Sequence, residues 1–396
     1  RLKYILKKLS REKGADDELL VCSNSGDIRK RGDSRLGLVA NSNDIYQGVR
    51  SGDLLIHGMD TWHGAIAVSK FDGMCTPVVH VCDSSQNKEY VATYLRNMAS
   101  QQIFKLISNG VRQNTSDFRS WDKLSRIPIP LPPLVEQEKI VSYLEDKTSK
   151  IDEVILAKEK QIKLLQELKD AEIANVITRG LNPDVKMKRY DSLLSSECPE
   201  HWCITRNKSF MSLVGEKVGR QSVSYTLLSL TTKGVIIRDV ESGKGKFPKD
   251  FDTYQIVQRG ELVFCLFDID ETPRTVGIVE TGRMVTGAYT VLRVNEKYAI
   301  PEYVYYYYLC VDNIKALKPY YSGLRKTVRA DKFLQLYIPV PSVEEQRTII
   351  AYIENKNNKI EALVKNLEAE IAYLKEYKQK LVADCVIGQI NVQCEQ

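Results

Sequence analysis

The sequence predicts an α+β protein in which a β-rich domain and a long helix occur twice, in the order domain, helix, domain, helix. The chain has 396 residues, 43% of them hydrophobic, which suffices for two or three domains with cores of their own. A proline-rich junction, IPIPLPPLVEQEKIVSYLEDK at residues 127–147, returns as IPVPSVEEQRTIIAYIENK at residues 338–356. Each junction opens a charged run with apolar residues at helical spacing, so each predicts a helix.

The two halves of the chain align without a gap from the junctions onward. A constant offset of 209 positions joins Gln137 to Gln346 and Asn182 to Asn391. Upstream, YQGVRSGDLL parallels YQIVQRGELV, and SNGVRQN parallels YSGLRKT, with small changes of length. The repeating unit is therefore a mixed domain followed by a long helix.

Each predicted helix carries apolar residues at every eleventh position. Eleven residues in three turns is about 3.67 residues per turn, close to an unstrained α-helix, so the stripe packs along one straight partner. About 40 residues make a rod of about 60 Å. We expect the two copies to pack on each other through Ile140, Ile151, Ile162, Ile173, Ile349, Ile360, Ile371 and Val382.

Short β-rich segments bounded by Gly, Asp and Asn precede each junction, and a helical stretch follows them. Prolines end the sheet because they donate no ladder hydrogen bond, and a proline is tolerated where the helix begins. The predicted boundaries are 1–126 for the first domain, 127–182 for the first junction and long helix, 183–196 for a linker, 197–337 for the second domain, and 338–396 for the second junction and long helix.

Composition excludes several classes of protein. Nine cysteines without a CxxC pair and four dispersed histidines argue against disulfides and a metal site. The sequence has no apolar run of eighteen residues and no visible signal peptide, so we expect a cytoplasmic protein. An NPPY-type methylase motif, a phosphate-binding loop and a PD…(D/E)xK nuclease pair are also missing, and we expect no catalytic activity. The net charge of +6 weakly favours a nucleic-acid partner.

The repeated IPxP…EQ…I junction, the PEHW segment at residues 199–202 and the GDLL and GELV segments resemble those of type I restriction–modification specificity subunits, over essentially the whole chain. The first copy lacks a PEHW counterpart and the sequence begins at Arg1, so we expect the N-terminal edge of the first domain to be absent.

The resemblance implies two target recognition domains linked by two long antiparallel helices that form a coiled coil with pseudo-two-fold symmetry. Each domain would read one half of a bipartite double-stranded DNA site, and the helices would set the gap. The subunit would be non-catalytic and would recruit two modification (methyltransferase) subunits, and restriction subunits through them. S-adenosyl-methionine, ATP and Mg would belong to those partners.

Basic and glycine-rich loops are the candidate DNA contacts, because Lys and Arg bind phosphates and Arg forks also read guanine. The sequence Gly-aliphatic-Arg occurs in both copies, shortly before the chain leaves each domain for the proline junction. Trp62 and His63 could form a tip that reads bases, although the tryptophan could equally belong to the core. A solvated loop is the alternative for each basic segment. The candidates are Arg29, Lys30, Arg31, Arg35, Trp62, His63, Arg112, Lys217, Arg220, Lys244, Lys246, Arg274, Arg325 and Lys326.

Two other functions fit the same sequence. One is the DNA-reading subunit of a related restriction system whose nuclease and methylase are fused in one partner. The other is a coiled-coil scaffold that binds only protein. A strong salt dependence of DNA binding would argue against the scaffold.

Overall fold

The computed structural model describes residues 1–32, 44–108, 117–220, 225–238 and 251–392. These residues form two compact units. The first combines Arg1–Glu159 with Leu367–Gln396, and the second is Lys160–Asn366. Within the described ranges, no helix has the length and apolar character needed to span a membrane.

The first unit contains a small antiparallel domain and parts of two long helices. A four-stranded sheet has the order β1-β8-β5-β6, and the pairs β2-β3 and β4-β7 lie outside it. The elements of this domain are β1 (Leu6–Lys8), β2 (Leu20–Cys22), β3 (Ile28–Lys30), β4 (Gln47–Val49), β5 (Leu54–His57), β6 (Ile66–Val68), β7 (Gly73–Cys75), β8 (Val79–Ser84), α1 (Lys88–Ser100), α2 (Ile103–Ile107) and α3 (Trp121–Ser125).

The first long helix, α4 (Leu134–Arg179), passes from the first unit into the second. The domain of the second unit follows it with β9 (Met187–Arg189), β10 (Glu197–Pro199), β11 (Cys203–Arg206), β12 (Met211–Val214), β13 (Leu228–Thr231), β14 (Gly234–Ile237), β15 (Gln255–Val257), β16 (Leu262–Phe264), β17 (Val276–Ile278), β18 (Arg283–Val285), β19 (Thr290–Val294), α5 (Pro301–Asn313), α6 (Ala330–Phe333) and β20 (Tyr337–Val340), and then the second long helix, α7 (Val343–Val386).

The two domains have the same topology. The sheet β12-β19-β16-β17 repeats the order β1-β8-β5-β6, and β13-β14 and β15-β18 repeat β2-β3 and β4-β7. The second unit also pairs β9 with β10 and β11 with the proline-containing exit strand β20. Part of the segment predicted as a linker, residues 183–196, is therefore a strand, because β9 pairs across a turn with the start of the PEHW segment.

The long helices pack together in antiparallel directions within each unit. In the first unit Lys378 pairs with Asp152 at 2.6 Å, and Lys158 pairs with Glu370. In the second unit Lys169 of α4 pairs with Glu361 of α7 at 2.7 Å. Pairs as exposed as these contribute little to stability, so the apolar stripe carries most of the association.

The eleven-residue stripe lies mostly on the covered face of each helix. Five of its members are buried and three are half-buried; the buried ones are Ile140, Ile173, Ile349, Ile360 and Ile371, and the half-buried ones Ile151, Ile162 and Val382. Apolar residues beside the stripe are covered unevenly. Val154 is 44% exposed and Leu363 51% exposed, whereas Ile155, Val176 and Cys385 are buried.

A buried glutamine fastens each junction to its domain. Gln346 has no exposed surface; its Oε1 accepts the N–H of Ile300 at 2.8 Å, and its Nε2 donates to the carbonyls of Pro341 and Tyr298 at 2.9 and 3.1 Å. Gln137, which is also fully buried, repeats this arrangement by accepting the N–H of residue 87 at 3.1 Å and donating to the carbonyl of residue 132 at 2.8 Å. The EQ motif is thus a hydrogen-bonded link between the junction and the N-terminus of the domain helix.

A buried tyrosine forms a second link in each unit. The Tyr303 hydroxyl lies 3.2 Å from the carbonyl oxygen of Pro339 and 3.5 Å from that of Ile177, in the last turn of α4. The Tyr90 hydroxyl lies 3.3 and 3.2 Å from the corresponding carbonyl oxygens of residues 130 and 386. Burial raises the pKa of Tyr90 to about 12, so this hydroxyl keeps its proton at neutral pH.

The PEHW segment contacts the second junction. The Trp202 indole N–H donates to Oε1 of Glu345 at 3.0 Å, and Nε2 of His201 lies 2.9 Å from Oε2 of the same carboxylate. Glu345 also lies in the first turn of α7, where negative charge is favourable. Two of the sequence motifs that carry the family resemblance therefore contact one another.

Candidate nucleic-acid interface

The candidates Arg325 and Lys326 lie in a tight hairpin of the second unit, residues 322–327, which we call the tip loop. Ser322 and Thr327 exchange both backbone hydrogen bonds at 3.0 Å. Between them Gly323 has φ 68° and Lys326 has φ 44°, the left-handed conformation that such a reversal requires. The backbone of the loop is therefore well defined, and it holds its side chains on a short, closed turn.

An acidic loop between β16 and β17, residues 267–271, holds Arg325. The Asp268 N–H donates to the carbonyl of Arg325 at 2.8 Å, and Nη2 and Nε of Arg325 lie 2.6 and 3.2 Å from Oδ2 of Asp268. The guanidinium also stacks on the ring of Phe267 with its carbon 4.8 Å from the ring centre. The hydrogen bond to Asp268 raises the pKa of Arg325, so the guanidinium stays charged and oriented.

A second carboxylate of the acidic loop draws together the other polar groups near the tip loop. Asp270 lies 3.2 Å from Nζ of Lys326 and 3.8 Å from Nζ of Lys318, and it accepts the Tyr321 hydroxyl at 3.1 Å. Phosphate oxygens can take the place of such carboxylate oxygens around lysine and arginine. In the free protein, the acidic loop therefore forms ion pairs with cationic side chains that could otherwise bind the phosphates of a DNA backbone.

The most exposed side chain of the tip loop is not among the residues predicted from the sequence. Leu324 is 104% exposed and lies between the glycine turn and Arg325. The available signal was the Gly-aliphatic-Arg pattern common to both copies, in which Val111 takes the place of Leu324. An apolar side chain on a basic hairpin can contact a thymine methyl group or wedge between base steps.

The contacts of Arg274 favour a structural role. Its Nη1 donates to Oδ1 of Asn313 at 3.0 Å and lies 3.5 Å from Oδ2 of Asp312. Asp312 is buried and also accepts the N–H of Thr275 at 3.0 Å and Nζ of Lys315 at 2.7 Å. Arg274 thus helps to neutralise a buried carboxylate of α5 that holds the segment entering β17 and the turn after α5.

The basic segment before β13 offers exposed cations. Lys217 and Arg220 are exposed and form no ion pair within the part of the chain that the structure describes. Backbone hydrogen bonds from Val218 to Tyr254 at 2.9 Å and from Gly219 to Asp252 at 3.1 Å hold the segment in place. Lys244 and Lys246 lie outside the described residues, and so do Arg35 and Arg112 of the first domain.

In the first unit, Arg29 and Lys30 point outward from β3, the strand in which Ile28 is buried. Arg29 pairs with Asp27 and Lys30 with Glu18. The hydrogen bond from Arg29 holds the pKa of Asp27 well below its usual range, so this pair remains charged at neutral pH. Arg31, next along the chain, is half-buried.

Trp62 and His63 form a short 3₁₀ turn, Thr61–His63, that closes at Gly64 with φ 80°. Trp62 is half-buried against the domain core, and its buried indole N–H has no hydrogen-bond partner among the described residues. His63 is exposed. This turn joins β5 to β6 and so corresponds to the acidic loop of the second domain, at the same place on the same sheet.

The described residues include no cluster of three or more histidine, cysteine, aspartate or glutamate side chains able to hold a metal ion. None of the eight described cysteines forms a disulfide, and seven of them are buried. Burial raises the pKa of Cys82 to about 12, which removes thiolate character at neutral pH. The buried cysteines therefore serve as packing residues.

The chain contains two copies of one domain, and each copy packs on an antiparallel pair of helices. The copies differ in the loops that extend from the same sheet. This is the architecture of a modular recognition subunit. The family model named type I restriction modification DNA specificity domain matches residues 64–166 and again residues 277–373, together half of the chain. The chain therefore belongs to the type I restriction–modification DNA specificity family. It is the DNA specificity subunit of such a system, and these subunits are non-catalytic.

Individual relatives agree with this assignment. The MjaX specificity subunit of Methanocaldococcus jannaschii is 24% identical over 320 residues, which are 76% of this chain and 68% of that protein. The type I restriction enzyme MjaVIII specificity subunit of the same organism is 24% identical over 293 residues, 67% of this chain and 63% of its own length.

Solved structures match the fold over nearly the whole chain. A structure described for the assembly and conformational transition of the type I R-M system aligns with a TM-score of 0.67 at 16% identity, covering 98% of this chain and 96% of the other. The HsdS subunit from Thermoanaerobacter tengcongensis aligns with a TM-score of 0.53 at 17% identity over the same shares.

Proposed function

We propose that each domain of this specificity subunit reads one half of a bipartite double-stranded DNA site, and that the long helices set the number of unread bases between the halves. The observation that carries the proposal is the repeat itself. Sheet order, junction glutamine and junction tyrosine are the same in both copies, whereas the loops after β5 and β16 differ completely. A shared scaffold with different loops is the arrangement expected of two recognition domains with different specificities.

The tip loop and acidic loop are the proposed reading surface of the second domain. Arg325, Lys326 and Leu324 would approach the duplex, with Asp268 and Asp270 releasing the cations to phosphate or to guanine edges. Lys217 and Arg220 would contribute phosphate contacts. In the first domain, the turn of Trp62 and His63 and the basic face of β3 would serve the same purpose, together with the candidates in loops outside the described residues.

The proposed assembly places chemistry in other chains. Two modification subunits would dock on this subunit and supply S-adenosyl-methionine for adenine methylation, and restriction subunits would join through them with ATP and Mg. Such a complex would act in the cytoplasm, where its DNA lies. The helices are the proposed docking element, because they are forty-six and forty-four residues long and expose large apolar side chains, such as Leu156 at 67% and Tyr373 at 69%, among charged ones.

Adenine-methylation mapping tests the proposal. Long-read sequencing of DNA from cells that express this chain with its cognate modification subunit should reveal one motif of two short blocks separated by unspecified bases. Exchange of residues 197–337 for another family member's domain should change one block and leave the other unchanged. A stable complex that methylates no new site would refute the proposal and favour a protein-only scaffold.

A further inference from the structure

A partly open cavity of about 670 Å³ lies in the first unit, enclosed by α1, α4 and α7. The apolar part of its lining includes Leu144 and Val382, and the polar part includes Glu89, Asn97 and Glu145. A cavity of about 150 Å³ already accommodates benzene, so this space holds an aromatic side chain together with part of the segment that carries it.

The cavity offers acceptors and few free donors. Lys378 is engaged by Asp152 at 2.6 Å, and Nη1 of Arg96 donates to the carbonyl of Ile66 at 3.1 Å. Asn97 is only 7% exposed, and its Oδ1 has no hydrogen-bond partner among the described residues. Glu89 and Glu145 also line the cavity, and carboxylate oxygens accept hydrogen bonds, so the site favours an occupant that brings a hydroxyl or N–H group.

The other repeat shows which group fits such a space. The offset that joins Tyr90 to Tyr303 places Tyr306 of α5 where α1 has Thr93. The Tyr306 hydroxyl accepts a hydrogen bond at 3.2 Å from Asn357 of α7, which takes the place of Thr148 in α4. The second unit therefore fills this position with its own phenol, whereas the shorter Thr93 leaves it open in the first unit.

The surroundings of the two positions are alike. Glu89 and Glu145 of the first unit have the counterparts Glu302 and Glu354 in the second. A tyrosine hydroxyl is compatible with such a pair of carboxylates, because Tyr306 lies one helical turn from Glu302 and its hydrogen-bond partner Asn357 lies one turn from Glu354. The apolar wall is also retained, since Ile353 takes the place of Leu144 and is buried.

We propose that the cavity of the first unit receives a tyrosine side chain from a partner protein. Its ring would pack on Leu144 and Val382, and its hydroxyl would donate to the carboxylate of Glu89 or Glu145. The partner is taken to be a modification subunit, and this part of the inference rests on the proposed function. The second unit needs no such insertion because Tyr306 already occupies the corresponding space.

The first test uses p-cresol, which has the tyrosine side chain's ring and hydroxyl, with the full chain and ligand-observed NMR. Wild type and Thr93→Ser should bind p-cresol, and Thr93→Tyr, which imitates the second unit, should bind it at least tenfold more weakly. Tyr306→Thr should create an additional site. Thermal unfolding checks that each variant is folded. Absent binding to the wild type, or equal binding to Thr93→Tyr, would overturn the inference.

The second test measures assembly with the cognate modification subunit by calorimetry. Thr93→Tyr should weaken the complex at least tenfold, whereas Thr93→Ser should match the wild type. If the wild-type chain forms no complex, the proposed function fails together with the choice of partner, while the p-cresol result still reports on the cavity. If Thr93→Tyr loses p-cresol but assembles normally, tyrosine insertion is refuted and the proposed function stands.

Discussion

Replacement of Gln346 by alanine should release the second domain from its junction. The side chain is fully buried and makes three hydrogen bonds, one accepted from the N–H of Ile300 and two donated to the carbonyls of Tyr298 and Pro341. Ile300 is the N-terminal cap residue of α5, so the substitution leaves the start of this helix without its partner.

The expected loss follows from these three bonds. Each contributes about 1 kcal/mol net, and the buried N–H of Ile300, left without an acceptor, adds a penalty of about 1–3 kcal/mol. The two carbonyls also lose their donors, but they are acceptors that tolerate this better. We therefore expect the free energy of opening around residue 300 to fall by about 4–6 kcal/mol.

Hydrogen exchange followed by mass spectrometry measures this opening residue by residue in the full chain. In Gln346→Ala the amide of Ile300 should exchange faster by about three to four orders of magnitude, because about 1.4 kcal/mol corresponds to a factor of ten, while the amide of Asn87, held by Gln137, should be unchanged. Gln137→Ala should give the reverse pattern, and Gln161→Ala on the exposed face of α4 should alter neither. Wild-type exchange at Ile300 in Gln346→Ala would refute the reasoning.

Three further changes test other parts of the molecule. Tyr303→Phe should lower the unfolding free energy of the second unit by about 1–2 kcal/mol in urea titrations, because the carbonyl groups of Ile177 and Pro339 lose their hydroxyl partner. Leu324→Ala should change stability by less than about 0.5 kcal/mol, yet it should alter base preference in one methylation block only. Burial lowers the pKa of His80, so the folded chain takes up a proton less readily than the unfolded chain. The stability that neutral His80 contributes is therefore fully present above about pH 6.5. It decreases as the pH falls below that value, by at most about 1.4 kcal/mol per pH unit.

Each of these has a matched control. Tyr90→Phe should reproduce the effect of Tyr303→Phe in the first unit and leave the second unaffected. A Leu324→Ala subunit that methylates both blocks as the wild type does would exclude the tip loop as a reader. In His80→Gln the unfolding free energy should depend less steeply on pH between 7 and 5. An unchanged slope would show that His80 takes up no proton when the chain unfolds.

Much of the fold could be predicted because it depends on periodic and repeated features. The eleven-residue spacing of Ile140, Ile173 and their counterparts follows directly from helix geometry, and the repeated junction fixes the order of the elements. The exposure of Val154 and Leu363 could not be predicted, because the width of a buried stripe depends on how closely the partner helix approaches. The strand β9 was not predicted, because its pairing partners lie eight to twelve positions further along the chain.

The turn that carries Arg325 could be predicted from the sequence, but the contacts of its side chain could not. Glycine with a following arginine marks a turn that presents a cation, and the sequence places Arg325 there. Its engagement by Asp268 depends on two loops, fifty-seven positions apart, that meet only in the fold. Residue type alone also gave no reason to select Leu324, because hydrophobicity predicts burial and this side chain is exposed.

The division of the chain into units has a consequence for synthesis on the ribosome. The second unit is one continuous segment, Lys160–Asn366, so it can fold as soon as that segment has emerged. The first unit needs Leu367–Gln396, and Tyr90 finds its acceptor at Val386 only after 296 further positions have been translated. Closing so long a loop is slow, and the domain translated first is therefore the last to be completed.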